Sequence, residues 1–146
     1  MKHIQIKPKF PSPCHCLNLR RASRTVTQFY DKVLEPISLK VTQYSLLRNL
    51  ELVESVKMSV LAKTMRIDRT TLNRNLKPLM SAGLITVHAG EDSRSRQVML
   101  TEAGKDALLN ALALWHEAQA LLEEYLGEAE LASFEKSLSR LEALVL

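Results

Sequence analysis

Glycine is scarce in this chain, with four in 146 residues, and cysteine is scarcer still, with two. A phosphate cradle needs a glycine-rich loop, and four scattered glycines do not make one. No Gly-x-Ser-x-Gly, Walker A or paired metal-ligand motif occurs either, so the sequence argues against an enzyme, and no cofactor or metal is expected. Two cysteines cannot frame a disulfide-stapled fold. No run of about 18 apolar residues is present, which argues against a transmembrane helix and against a membrane partner. The opening "MKHIQIKPKFPSPCHC" has no apolar core between its lysines and does not read as a secretory signal. The expected location is the cytoplasm.

What is present is enough apolar sequence, 46%, for one compact domain, and a lopsided charge. Residues 1–56 carry nine Lys/Arg against four Asp/Glu, residues 57–98 carry eight against three, and residues 99–146 carry three against nine. A basic front and an acidic tail polarise the field of the molecule. The prolines at 8, 11 and 13 make residues 1–16 an extended arm. Helical spacing follows in Leu19, Ala22, Val26, Phe29, Tyr30 and Val33, ended by Pro36. Thr42 is placed to cap "QYSLLRNLELV", and Ser59 to cap "SVLAKTM". After Gly83 the period falls from 3.6 to 2, and "LITVHA" and "QVML" flank the polar "GEDSRSR", which predicts a β-hairpin. Thr101 opens a long helix that Gly127 breaks. The last segment spaces Leu131, Phe134, Leu138, Leu141 and Val145 by 3 and 4, a heptad seam. The expected fold is mainly α with a small β-hairpin wing: a winged helix-turn-helix over 41–100, and a helical dimerisation region over 17–40 and 101–146.

The most informative stretch is "DRTTLNRNLKPLM". Leu72, Leu76, Leu79 and Met80 form one buried stripe, while Thr70, Asn73, Arg74 and Lys77 load the other side with donors and no acid. Asp68 caps the helix. Only the major groove of DNA admits a helix, and arginine and asparagine match the edges of guanine and adenine. Arg69, Thr70, Thr71, Asn73 and Arg74 therefore take base or near-base roles, and Lys77 a phosphate. Pro78 inside the helix removes the bond to the Arg74 carbonyl, which predicts a kink unless packing of Leu79 and Met80 compensates. Arg94 and Arg96 crown the hairpin tip, where an arginine enters the minor groove, and Asp92 is placed to hold the Arg94 guanidinium.

Residues 61–105, "LAKTMRIDRTTLNRNLKPLMSAGLITVHAGEDSRSRQVMLTEAGK", resemble the MarR family of transcriptional regulators. The resemblance lies in "IDRTTLNRNLKPL", "GLI" and the wing pattern of Asp92, Arg94, Val98 and Leu100 to Gly104. It implies a homodimer with interlocked terminal helices, binding a pseudo-palindromic double-stranded DNA operator as a repressor. It also implies release by a small phenolic or lipophilic inducer or by thiol oxidation. Leu19, Val26 and the Leu131–Val145 seam are the apolar stripes such a dimer would cover. The family wing often carries a second basic residue where this chain has Ser93, with Arg96 as the substitute.

The trigger is open between two places. Cys14 and Cys16, in "CHC", fall where thiol-sensing members carry a reactive cysteine. Inert interface thiols, redox sensing and metal binding with His15 are all consistent with that spacing. Family ligand pockets lie between the DNA head and the dimer helices, where Tyr30, Tyr44, Trp115 and His116 are candidates; ordinary core packing is the alternative for each. For the whole chain, the competing reading is a helical protein–protein adaptor, which leaves the basic donor face unexplained.

Overall fold

The computed structural model describes residues 4–92 and 94–145. Helix α1 spans His15–Leu34 and starts two residues before the expected arm boundary, because Cys14 is the cap: its Sγ accepts the Leu17 N–H at 3.4 Å. Ser12 and Asn18 lock the entry with two reciprocal bonds of 2.8 Å. Glu35–Ile37 is one 3₁₀ turn around Pro36, and α2 spans Val41–Leu50. Thr42 lies inside α2; the cap is Lys40, whose N–H bonds to the Gln43 side chain at 2.9 Å.

A two-residue strand, β1 (Val56–Lys57), precedes α3 (Met58–Met65). Lys57 must stay extended to pair with β3, so it, and not Ser59, is the cap residue of α3. Helix α4 spans Arg69–Ser81. Its end is a Schellman turn, with Gly83 at φ +71° and the N–H of Leu84 returning to the Leu79 carbonyl at 3.0 Å. Strands β2 (Ile85–Ala89) and β3 (Arg96–Leu100) form the expected hairpin, with Ile85 opposite Leu100 and Ala89 opposite Arg96. β1 adds to the other edge of β3, Val56 opposite Val98, giving the order β1-β3-β2. Helix α5 spans Glu102–Leu126, and α6 Glu128–Glu142 follows Gly127, at φ +81°.

One core joins α2, α3, α4, the sheet and the start of α5 around the fully buried Leu46, Leu47, Leu50 and Leu72. A smaller one joins α1 to α5 through Tyr30, Val33 and Ala118. The terminal helices leave apolar surface uncovered: α6 buries no residue, and Leu19, Val26, Phe134 and Leu141 are all exposed. Leu131 and Leu138 are half-buried. Val145, expected to continue the seam, lies beyond the helix, because α6 ends at Glu142 with Ala143 as its cap.

The head and the long helix meet at one tight junction. The Thr101 hydroxyl donates to the Gly83 carbonyl at 2.6 Å and accepts the Gly104 N–H at 3.0 Å, while the Thr101 N–H bonds to the Leu84 carbonyl at 3.1 Å. A Cβ on Gly104 would sit 2.0 Å from the Leu84 oxygen. Gly104→Ala is therefore expected to destabilise by about 3 kcal/mol, the upper end for overpacking, since a backbone carbonyl cannot swing aside. Gly83→Ala meets open space and should cost only the left-handed conformation, about 1 kcal/mol. Denaturant melts of the two variants test that order.

Candidate nucleic-acid interface

Helix α4 is set by its cap. The Asp68 Oδ1 accepts the Thr71 N–H at 2.6 Å. This bond, a second from the Thr71 side chain and the nearby Arg74 charge hold the Asp68 carboxyl below the usual carboxylate range. From there the stripe of Leu72, Leu76 and Leu79 is buried, at 2% exposure or less, while Met80, expected to join it, is exposed at 44% because it falls past the end of that face. That phase turns Arg69, Thr70, Asn73, Arg74 and Lys77 to the exposed side. Thr71 is half-buried and serves the cap. The helix runs through Pro78 to Ser81, with Leu79 1% exposed two residues before that end. None of Arg69, Arg74, Lys77, Arg94 or Arg96 forms a salt bridge among the described residues.

The wing tip is built on Asp92, though not as the sequence suggested. Its Oδ1 accepts the backbone N–H of Arg94 at 3.1 Å, and its carbonyl accepts both the N–H and the hydroxyl of Ser95 at 3.0 Å. No Asp92–Arg94 ion pair forms among the described residues. A carboxylate at the start of a tight turn finds the amide two residues on without ordering a long side chain, and the guanidinium stays exposed. Ser93 lies outside the described residues.

The hairpin tip and the helices meet in a cleft of about 150 Å³, lined by Lys57, Ser59, Arg69, Asp92, Arg94 and Arg96. Arg69 from α4 and both wing arginines thus border one concavity. Lys57 and Ser59 were not expected there. They arrive because β1 pairs with β3, Lys57 opposite Gln97, and the Ser55 hydroxyl bonds to the Gln97 side chain. A two-residue strand carries no periodicity by which sequence could reveal it.

The aromatic candidates do gather at the α1–α2–α5 junction. Tyr44 stacks on Trp115 with centroids 5.5 Å apart, and Trp115 meets His116 edge-on at 5.0 Å. The Tyr30 hydroxyl bonds to Gln119. Tyr30 and Tyr44 are packed in the core and His116 is exposed. Burial raises the pKa of both tyrosines. The Tyr44 hydroxyl is buried and has no hydrogen-bond partner among the described residues. Cys14 and Cys16 are both exposed at the start of α1. Among the described residues no three His, Cys, Asp or Glu side chains converge as a metal site.

The MarR family model matches residues 37–95. The Mycobacterium tuberculosis transcriptional regulator MosR, solved in complex with DNA, is 36% identical; the match covers 87% of this chain and 97% of that one, with a TM-score of 0.73. This chain belongs to the MarR family. The transcriptional repressor CouR, bound to a 23-mer DNA duplex, is 25% identical over 88% of this chain and 92% of its own, with a TM-score of 0.77. A mutant MarR from E. coli, complexed with operator DNA, shares the fold at 21% identity, over 84% of this chain and 89% of that one, with a TM-score of 0.75. As a MarR-family protein, the chain is a DNA-binding transcriptional regulator and not an enzyme.

The Asp68 cap gives a pH prediction for this interface. Its folded pKa is depressed, so its contribution is present above the unfolded value and is lost as pH falls through the folded one. Melting curves from about pH 6 down to about pH 3 should show wild type losing stability that Asp68→Asn does not lose. The asparagine keeps an acceptor but has no proton to gain.

Proposed function

We propose that two copies of this chain form a cytoplasmic homodimer that binds a pseudo-palindromic operator and represses transcription until it is released. The observation that carries this reading is the shared cleft: Arg69 of the recognition helix and Arg94 and Arg96 of the wing border one concavity, with no salt bridge to neutralise them among the described residues. Thr70, Asn73 and Arg74 read bases in the major groove, Lys77 meets a phosphate, and Arg94 enters the minor groove. Thr71 contributes through its cap and at the edge of the contact. The uncovered apolar surfaces of α1 and α6 support the dimer, which places two heads about 34 Å apart on one face of the duplex. The CouR complex, a repressor on a duplex, supports repression.

The test is to capture sheared genomic DNA on the purified protein at two salt concentrations and sequence what is retained. A two-fold symmetric motif that survives moderate salt is expected. On that motif Arg74→Ala should cost about 1–3 kcal/mol and relax one base position. Arg94→Ala should weaken all sequences alike and lower the salt slope by about one. A protein–protein adaptor would show no motif and neither effect.

Release follows oxidation of the exposed thiols at the start of α1. Cys14 is the cap of that helix, so oxidising it disturbs the entry to the dimer region. Mild peroxide is expected to weaken operator binding in wild type and to leave Cys14→Ser and Cys16→Ser unaffected; equal loss in all three proteins would dismiss the thiol route. The unpartnered Tyr44 hydroxyl supports a second trigger. A phenolic or lipophilic inducer wedged between Tyr44 and Trp115 would give that donor an acceptor and push the head from the dimer helices.

A further inference from the structure

Arg66 occupies the turn between α3 and α4 in the left-handed region, at φ +54°. Glycine or asparagine is the ordinary choice there, so the backbone supplies no reason for an arginine. Its side chain supplies one. The Nη1 of Arg66 lies 2.7 Å from the Oε1 of Glu142, the last residue of α6, in the one ion pair among the described residues that joins the DNA-binding head to the terminal helices across the fold. The other four, among them Arg48–Glu51 within the head and Lys40–Asp31 beside the α1–α2 connection, link near neighbours in sequence.

The consequence lies in where the two attachments fall on α4. Its C-terminal end is held through Gly83 and Leu84 to Thr101 and Gly104 of the α5 junction. Its N-terminal end, Arg69, follows Arg66 by three residues and is held through Glu142 to α6. Within the head α4 is packed on the core through Leu72, Leu76 and Leu79, so it turns only with the head as a unit; a second attachment, at the far end of α4 from the α5 junction, opposes that rotation. We propose that the Arg66–Glu142 ion pair is a brace that orients the reading end of α4 on the dimerisation helices, and so sets the operator spacing that two heads accept together. This rests on the reading of the chain as a DNA-binding homodimer. Glu142 is a positioning residue, acting through Arg66 and touching no base.

Both side chains are more than half exposed, so the pair adds little to stability and is screened by salt. An exposed pair shifts an orientation equilibrium by a few-fold at most. A dimer carries two, and their effects multiply on one operator, which predicts a change of about three- to tenfold.

The experiment compares affinity for the enriched symmetric motif with affinity for versions carrying one base pair more or fewer between the half-sites. It is run at low salt on wild type, Glu142→Gln and Glu142→Asp, with melting temperatures measured beside. Wild type should prefer the native spacing. Glu142→Gln should shrink that preference about three- to tenfold at an unchanged melting temperature, and Glu142→Asp, which keeps the charge, should retain most of it. Unchanged spacing preference in Glu142→Gln overturns the brace. So does tighter binding at every spacing alike, since Glu142 would then only repel phosphates. Wild type indifferent to spacing overturns the dimeric-operator reading and the brace with it.

Discussion

One hydroxyl fixes where the recognition helix, the wing and the long helix meet. Thr101 caps α5 through Gly104 and in the same geometry closes on Gly83 at the end of the recognition helix. Gly104, lacking a Cβ, lets the first turn of α5 lie against the Leu84 carbonyl. The sheet depends on the same point, because Ile85 begins β2 one residue after Leu84, opposite Leu100. Wing, recognition helix and long helix therefore share an origin within a few residues.

The charge distribution follows from this plan. Among the described residues, the cations at the cleft and on the outer face of α4 carry no salt bridges, an arrangement that costs little while the groups stay hydrated. It becomes favourable when a polyanion displaces counterions. The acids gather in α5 and α6, where Glu123, Glu128 and Glu135 line a second concavity at the helix elbow. Repulsion between those acids and DNA disfavours approaches that present α5 and α6 first, which agrees with the proposed role of α4 and the wing. Head and tail thus orient the encounter before any base is touched.

Local physics explains which parts were legible in the sequence. The α4 stripe, the Asp68 and Thr101 caps and the stop at Gly83 are contained within a few residues, and each was readable. Some departures come from contacts made far along the chain, and others from local geometry that spacing does not encode. β1 exists because Val56 and Lys57 meet Val98 and Gln97, some forty residues on, and that pairing moves the start of α3 to Met58 and brings Lys57 and Ser59 to the cleft. The Cys14 thiol is a helix cap, a role its neighbours in sequence do not announce. At the wing, the choice between a guanidinium and a backbone amide as partner for Asp92 depends on turn geometry, which spacing alone does not encode. The Arg66–Glu142 pair, spanning more than half the chain, had no sequence signal at all.

Pro78 shows how the two faces of α4 divide their demands. The ring removes the donor that would bond the Arg74 carbonyl, a loss of about 3 kcal/mol in an ordinary helix interior. Here Pro78 is exposed, so water can reach the freed carbonyl, and the next residue, Leu79, is buried at 1% exposure. Leu79 also supplies the carbonyl that closes the Schellman turn at Leu84. The last turn of α4 is thus held by burial and by its cap, independently of the hydrogen-bond ladder that Pro78 interrupts. The reading end, four residues before that break, keeps a regular ladder anchored at Asp68. The helix tolerates proline where core packing fixes it and keeps regular backbone where its exposed donors Arg69, Thr70, Asn73 and Arg74 project.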